Sequence, residues 1–356
     1  MGWKYCYPLA LLRQFARTKD KVFMWKVVST LKQNLVWSIP AFMIAGLIVG
    51  ALVNPAPLKA LIIPLTFLMV YPMMINLQVQ KVLSGGDFKV QLATQLINFA
   101  IVPFFAYGLG YIFFSDRPLV WLGLLLASLL PTSGMTISWT GFAKGNISAA
   151  IKMTVIGLIL GSIATPFYAT WLLGASVEIP LAAVFKQIVI IVFLPMILGI
   201  VTRMVLIQQV GQDKYNKNLK QKFPAFSTLG VLGIVFVAMA LKAKDIVSNP
   251  MLLLSFLAPL AILYLGNFLL STLVGKFMFN RDDAIALVYG TVMRNLSIAL
   301  AIAMTAFGGE QGSEIAIIIA MAYIIQVQAA AWYVKFTDKI FGPSLEDASG
   351  PQLSGS

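Results

Sequence analysis

The sequence predicts an all-α membrane protein with ten transmembrane helices. Of its 356 residues, 59% are hydrophobic and only 11% are charged, whereas soluble domains carry about 25% charged residues. The apolar residues fall into ten segments, most of them long enough to cross a hydrocarbon core of ~30 Å. A single cysteine and no histidine exclude a disulfide framework, a multi-cysteine metal site and imidazole chemistry.

The predicted spans lie between a basic N-terminal segment, residues 1–33, and a polar tail, residues 344–356. The first segment mixes basic and aromatic residues, which favours an interfacial helix or, alternatively, a solvated tail, and it contains no evident cleavable signal peptide. The tail is predicted to be a disordered end or an expression scar. The ten-helix domain is predicted over 34–343, with spans near 35–53, 58–77, 89–114, 118–142, 146–172, 179–209, 223–243, 250–278, 281–307 and 313–337.

Loop charges predict that both termini face the cytoplasm. With the N-terminus inside, the cytoplasmic loops carry more lysine and arginine than the opposite loops. A basic linker, residues 208–222, joins two sets of five spans, residues 34–173 and 179–340. An odd number of spans in each half gives the halves opposite orientations, as an inverted 5+5 repeat requires. We expect a multi-pass monomer or homodimer in the plasma (inner) membrane. The net charge of the chain, +13, is expected to interact with anionic lipid rather than with nucleic acid.

The fourth span of each half is interrupted. In the first half, Pro131 removes a helical hydrogen bond and Gly134 loosens the adjacent backbone. In the second half, Gly290 weakens the helix in the same way. Paired interruptions at corresponding positions indicate a transport site, although an ordinary proline kink and a packing glycine are the alternative. We therefore predict two broken helices that cross at the membrane midplane.

The charged residues of the spans are cationic. All 13 carboxylates fall in predicted loops, tails or end turns, so a sodium or proton site built around a buried carboxylate is not expected. Arg294 lies near the centre of the ninth span, where an arginine costs about 2.5–3.5 kcal/mol or more. It suggests an anionic solute or a built-in replacement for a metal cation; a tether to helix-end carbonyls is the alternative. Lys152 and Lys186 could instead snorkel to an interface.

Glycine pairs four residues apart indicate where helices approach one another closely. Gly46 and Gly50 in the first span, and Gly157 and Gly161 in the fifth, have the small-xxx-small spacing of membrane helix contacts. Chance matches are common in a membrane sequence with 27 glycines. We therefore interpret both pairs as packing positions rather than functional ones.

Four short motifs lie at residues 71–74, 98–103, 131–145 and 293–301. Through them the chain resembles the bile acid:sodium symporter superfamily, which includes arsenite-efflux permeases, and the first two motifs are nearest to the arsenite branch. The resemblance covers roughly residues 35–337. It implies ten spans arranged as a core domain and a panel domain, with the two broken helices crossing in the core.

The resemblance also implies where an ion would bind. In sodium-coupled members, ligands come from the third, fourth, fifth and ninth spans. At the matching positions, Thr136 and Thr154 keep hydroxyls and Asn98 supplies an amide. Gly290, however, stands in place of the carboxylate and Arg294 in place of a glutamine. We therefore expect a degenerate sodium site, formed by Thr136, Thr154, Asn98 and Gly290.

The chain also differs from the arsenite branch at that branch's key positions. The fourth-span cysteine of the branch is absent, because the only cysteine is Cys6, and its ninth-span glutamate matches Ser297. Arsenic(III) is a soft centre that favours thiolate ligands. Arsenite binding through a thiol is therefore not expected.

These observations together predict a secondary active transporter that moves a small anionic organic or oxyanion solute by alternating access. The alternatives are a sodium-coupled bile-acid or organic-anion symporter, an arsenite or antimonite permease, and a non-transporting receptor or scaffold. An enzyme is not expected without intramembrane His, Cys, Asp or Glu, and no P-loop is present. No cofactor is expected, with sodium left open. The residues predicted to bind the solute are Arg294, Asn295, Thr132, Ser133, Thr136 and Asn98.

Overall fold

A computed structural model describes residues 28–31, 34–78, 86–220 and 222–343 of the chain. Within these ranges the chain is helical apart from connections and one isolated bridge between two residues. The tail at 344–356 lies outside the described residues, as does the predicted N-terminal segment except for 28–31. The all-α class is confirmed for the described part of the chain.

The longer helices are labelled α1 to α12. They are α1 (Leu35–Leu52), α2 (Ala56–Ile75), α3 (Phe88–Phe114), α4 (Pro118–Leu129), α5 (Gly134–Phe142), α6 (Ile147–Leu173), α7 (Leu181–Val210), α8 (Phe223–Leu241), α9 (Met251–Met278), α10 (Arg281–Val292), α11 (Leu296–Ala306) and α12 (Gly309–Val334). Short helices lie at Gln212–Lys214, Ala243–Ser248 and Thr337–Phe341. The first turns of α2 are a 3-10 helix, and α3 and α7 each contain a π-helical turn.

Seven helices of the described chain are long and apolar enough to cross a membrane: α2, α3, α6, α7, α9, α12 and the stretch Gln212–Leu241 that contains α8. Helices α1, α4 and α11 are apolar but shorter. Each of the ten predicted apolar segments coincides with one helix or two consecutive helices. The fourth segment contains both α4 and α5, and the ninth contains both α10 and α11, so the chain breaks its helix in each of them.

Two groups of helices pack among themselves. Helix α8 packs against α1 and α2, and the second half of α7 also packs against α2. The second group contains α3 to α6 and α9 to α12, in which α4 packs on α3 and α12 and α10 packs on α9. The α1–α8 contact depends on glycine, because a Cβ on Gly50 would lie 2.1 Å from the carbonyl oxygen of Ala240. This close approach agrees with the packing interpretation of Gly46 and Gly50.

The two groups contact each other unevenly. Helix α11 packs against α2 and the first part of α7, and α12 packs against α8 and α1. Helix α5, by contrast, has no extensive contact with α1, α2, α7 or α8. The half of the second broken helix that follows its break is therefore enclosed by the first group, whereas the corresponding half of the first broken helix is not.

A buried ion pair joins the start of α3 to α6. The Lys152 side chain is 4% exposed, and its Nζ donates to Asp87 Oδ2 at 2.9 Å. The Asn146 amide donates to Asp87 Oδ1 at 3.1 Å and to Asp283 Oδ1 at 2.7 Å. Lys152 is therefore paired within the protein. Lys186, by contrast, is exposed near the start of α7.

Replacing Lys152 with methionine is expected to lower the thermal stability of the purified protein. Removing one partner of a buried ion pair costs about 3–5 kcal/mol, and the partial exposure of Asp87 places this pair at the lower end. The double variant Lys152→Met/Asp87→Asn is expected to recover part of the loss, because no uncompensated charge remains. Lys244→Met, at an exposed lysine, is the matched control. An unchanged melting temperature for Lys152→Met would contradict a stabilising role for the pair.

Candidate functional site

The two helix breaks lie side by side and are joined through their backbones. An antiparallel bridge pairs Pro131 of the first break with Arg294 of the second. Its two hydrogen bonds, each 2.7 Å long, run from Thr132 N to Met293 O and from Asn295 N to Leu130 O. Each break thus supplies partners for backbone groups that the other has lost, and buried backbone groups require such partners.

Hydroxyl side chains fix the first break. Thr132 has a φ of +64°, which is unusual and strained for a β-branched residue, and its Oγ1 donates to Pro131 O at 2.6 Å. Ser133 caps α5: its Oγ accepts from Met135 N at 3.2 Å, while Thr136 Oγ1 accepts from Ser133 N at 3.1 Å. Thr132, Ser133 and Thr136, which were predicted to bind solute, lie together here and hold the start of α5 in place.

The four residues of the predicted ion site lie on four helices beside the breaks: Thr136 on α5, Thr154 on α6, Asn98 on α3 and Gly290 on α10. Thr154 Oγ1 in α6 donates to Ala150 O at 2.8 Å and Ser133 O at 3.4 Å. Asn98, in the π-helical turn of α3, donates through Nδ2 to Gly290 O at 3.0 Å. Its buried Oδ1 has no hydrogen-bond partner in the described part of the chain. Because a carbonyl oxygen can only accept, the Asn98 amide nitrogen must face Gly290, and an acceptor oxygen is left free.

The positions predicted to break the helices need one correction. Pro131 lies within the first break and Gly134 is the first residue of α5. Gly290 is inside α10, and the second break comes three residues later, after Val292. The reason is packing: a Cβ on Gly290 would lie 2.6 Å from Met153 Sδ, so the glycine admits a neighbouring side chain while the helix continues.

A glutamine from α12 fixes the second break. Gln326 is fully buried; its Oε1 accepts from Arg294 N at 2.8 Å, and its Nε2 donates to Arg294 O at 3.3 Å. The Tyr264 hydroxyl donates to the same Oε1 at 3.1 Å. Asn295 then caps α11, because its Oδ1 accepts from Ile298 N at 3.3 Å. Sequence reasoning missed Gln326, although an uncharged polar residue within an apolar span is itself a signal.

Further polar groups of α9 and α12 support the second broken helix. Asn267 donates to Thr291 O at 2.8 Å, and Ser271 hydrogen-bonds Thr291 Oγ1 at 2.6 Å. The Ser297 hydroxyl pairs with the Tyr323 hydroxyl of α12. These supports were also missed. The sequence signal was the spacing of Tyr264, Asn267 and Ser271 in α9, which places the three on one helix face.

The Arg294 side chain carries a buried charge. It is 3% exposed, and neither of its terminal nitrogens has a hydrogen-bond partner among the described residues. No carboxylate in that part of the chain pairs with it. The Tyr264 hydroxyl shares the acceptor Gln326 Oε1 with the Arg294 backbone N–H. The carbonyl ends of α4 and α10 terminate at the breaks and offer partial negative charge, but a buried cation still favours an acceptor.

Comparison with known proteins finds one family model and several relatives that are similar to this chain. The model of the Sodium Bile acid symporter family matches residues 63–249, more than half of the chain. The arsenical-resistance protein Acr3 of Alkaliphilus metalliredigens is 24% identical over 329 residues, covering 85% of this chain and 91% of that protein. The uncharacterized protein YbaS of Bacillus subtilis is 24% identical over 65% of this chain and 73% of its own. The sodium/bile acid cotransporter 7-B of Xenopus laevis is 22% identical, with coverages of 64% and 70%.

Proposed function

The chain belongs to the Sodium Bile acid symporter family, and on that premise we propose that it is a secondary active transporter for a small anionic organic or oxyanion solute. One observation carries the proposal: the buried Arg294 guanidinium at the paired helix breaks has no acidic partner within the described residues. A desolvated cation in such a place attracts an anion strongly, because the local dielectric is low. No enzymatic activity is proposed.

The proposed mechanism is alternating access between a core and a panel. The core would be α3 to α6 with α9 to α12, and the panel α1, α2, α7 and α8, which pack as two groups. Ten spans in an inverted 5+5 repeat would place both termini in the cytoplasm of the plasma (inner) membrane, as a monomer or homodimer among lipids. The uneven contacts support this mechanism, since the panel encloses α11 and leaves α5 open. A conformer closed at one end and open at the other is what alternating access requires.

In this proposal Arg294 acts through its charge. Arg294 lies between α10 and α11, and its backbone is bound by Gln326 of α12, so it sits within the proposed core. The starts of α5 and α11 add partial positive charge at the breaks. Ser133 and Thr136 at the start of α5, with Thr132, Asn98 and Asn295, would offer the solute neutral hydrogen bonds.

We further propose that transport needs no sodium gradient. A bound cation would supply a positive charge at this site. Arg294 supplies that charge as part of the chain, so the charge cannot leave the site as a bound ion can. Of the degenerate sodium site, the described residues offer one unpartnered neutral oxygen, Asn98 Oδ1. Neutral oxygens alone attract a cation weakly beside a fixed positive charge.

The test is flux into proteoliposomes. Radiolabelled small organic anions and arsenite would be presented with and without a sodium gradient. We expect anion flux that does not depend on sodium and falls about 10- to 100-fold in Arg294→Gln, since a hydrogen bond to a charged group is worth about 1.5–3 kcal/mol. Arg117→Gln is the matched control, because it removes the same charge from a connection between helices.

Two outcomes would contradict this proposal. Wild-type flux in a folded Arg294→Gln variant would show that Arg294 is not part of the transport site. Flux driven by a sodium gradient would show that neutral oxygens suffice for an ion site. Saturable binding without flux would instead favour the receptor or scaffold alternative.

The second candidate is a metalloid permease. The observation in its favour is the relative named an arsenical-resistance protein, which matches 85% of this chain. Such a permease would hold arsenite or antimonite through hydroxyl and amide groups, because Cys6 precedes all the spans. Arsenite flux that survives Arg294→Gln, with no flux of organic anions, would favour it.

A further inference from the structure

A groove between α2 and α7 lies apart from the helix breaks. It encloses about 400 Å³ and is also lined by the end of α11 and the start of α12. One stripe of α2 lines one wall and one stripe of α7 lines the other. Its lining includes Lys59, Thr66, Gln187, Ile191 and Met304.

The groove is polar at one end and apolar along its length. Lys59 and Gln187 lie in the early turns of α2 and α7, whereas Val70 and Pro195 mark the far end. At 1.5 Å per helical residue, the α2 wall from Lys59 to Val70 is about 16 Å long. Thr66 lies between the ends; it is 4% exposed, and its Oγ1 has no hydrogen-bond partner in the described part of the chain.

The groove opens sideways. Three residues that line it are also on the outer surface: Ile63 is 74% exposed, Phe67 48% and Ile190 44%. A surface of this kind on a membrane-spanning helix faces lipid chains. A chain-like molecule can therefore enter from the bilayer rather than from water.

The Lys59 ammonium is available to a ligand. Its nearest acidic partner, Glu310, is 4.0 Å away, and the two side chains are 45% and 81% exposed. Exposed pairs at such a distance contribute little. A carboxylate at the mouth of the groove would offer Lys59 a shorter, charge-assisted contact.

We propose that this groove binds a single-chain anionic amphiphile, a long-chain carboxylate, with its chain between α2 and α7 and its head group beside Lys59. The shape, the lateral opening and the cation at one end match a ligand with one charged end. The bound chain would occupy the interface between α2, α7 and α11, where the two helix groups meet. The inference does not depend on the proposed transport function.

The first test measures binding of tetradecanoate to the full chain in nanodiscs of zwitterionic lipid. We expect Ile191→Trp, which fills the groove, to weaken binding at least tenfold, and Lys59→Gln to weaken it several-fold. Lys244→Gln, an exposed lysine that does not line the groove, should have no effect. Tetradecanol should bind equally to the wild type and Lys59→Gln. Unchanged tetradecanoate binding in folded Ile191→Trp, or equal losses in both lysine variants, would overturn the proposal.

A second test uses only the wild-type protein, so it stands even if Ile191→Trp does not fold. A long-chain carboxylate with a photoreactive diazirine is cross-linked in the same nanodiscs, and the labelled residues are mapped by mass spectrometry. Labels should concentrate on the groove walls of α2 and α7. Labels spread equally over other exposed apolar positions, such as Leu265 (67% exposed) and Leu269 (63%) of α9, would overturn the assignment.

Discussion

Replacing Gln326 with leucine is expected to abolish transport and to destabilise the protein. The leucine keeps most of the side-chain volume but leaves Arg294 N, Arg294 O and the Tyr264 hydroxyl without the partners they now have. Each buried polar group left unsatisfied costs about 1–3 kcal/mol. The second break would then lose one of its two sets of backbone contacts, and Arg294 would lose its fixed position.

The hydrogen bonds from Gln326 to the Arg294 backbone are here called the Gln326 clamp. A second substitution separates the effect of this clamp from the effect of the Arg294 charge. In Gln326→Glu, one carboxylate oxygen can still accept from Arg294 N and Tyr264, whereas Arg294 O loses its donor, so the break should be weakened less than in Gln326→Leu. The carboxylate also places a negative charge near the Arg294 guanidinium, which should neutralise the site. We therefore expect Gln326→Glu to fold and to carry at least tenfold less anion, since a site without net positive charge loses its attraction for the solute.

The measurements are thermal unfolding of purified protein and anion flux in proteoliposomes. Gln328→Leu is the matched control, because Gln328 lies in the same helix, is partly exposed, and its side chain has no hydrogen bond among the described residues. Wild-type stability in Gln326→Leu would contradict the clamp. Wild-type flux in a folded Gln326→Glu variant would leave the clamp intact and defeat the role of the Arg294 charge.

The sequence was sufficient to locate the helices and the breaks approximately. Apolar segments of membrane length need no tertiary information, because the hydrocarbon core sets both their composition and their length. Pro131 marks the first break directly, since proline removes a backbone donor. Gly290 misled the prediction for the second, because glycine at a helix break and glycine at a close contact look the same in a single sequence.

The supports of the site could not be predicted because they depend on distant parts of the chain. Gln326 binds the backbone of Arg294, which is 32 residues away, and nothing local to either residue reveals the pairing. Lys152 likewise meets Asp87, 65 residues earlier, so its alternatives of snorkelling and function stayed open. The central position of Arg294 was visible in the sequence, whereas the absence of an acceptor around it depends on which helices pack there.

Adding a side chain to the glycines of α6 is expected to have the other large effect. A Cβ on Gly161 would lie 2.8 Å from Pro131 Cδ and 3.1 Å from Leu129 O. A Cβ on Gly157 would lie 2.6 Å from Thr132 Oγ1. The neighbours of Gly161 are a proline ring and a backbone carbonyl, which cannot rotate away as a flexible side chain could. The neighbour of Gly157 is a hydroxyl that is hydrogen-bonded to Pro131 O. Helix α6 would therefore have to withdraw from the first break.

Alanine substitutions test the close approach of α6 to the first break most directly, because alanine adds only a Cβ. At an unconstrained helical position, glycine to alanine stabilises a helix by roughly 0.5–1 kcal/mol. Gly108→Ala in α3 is the control, because no atom lies within 4 Å of its added Cβ. We expect Gly108→Ala to be neutral or stabilising, and Gly161→Ala to lose about 1–3 kcal/mol by overpacking together with most anion flux. Equal stability of the two variants would contradict the close approach.

A double variant then shows whether the loss arises at the break itself. Gly157→Ala should be rescued by Thr132→Gly, because the glycine removes the hydroxyl that the new methyl group meets and adopts the positive φ without strain. Two residues in direct contact give non-additive effects, so the pair should be more stable than the sum of the single losses. Strict additivity would place the damage elsewhere in α6. Rescued stability without rescued flux would instead assign the Thr132 hydroxyl, and not only the shape of the break, to the solute.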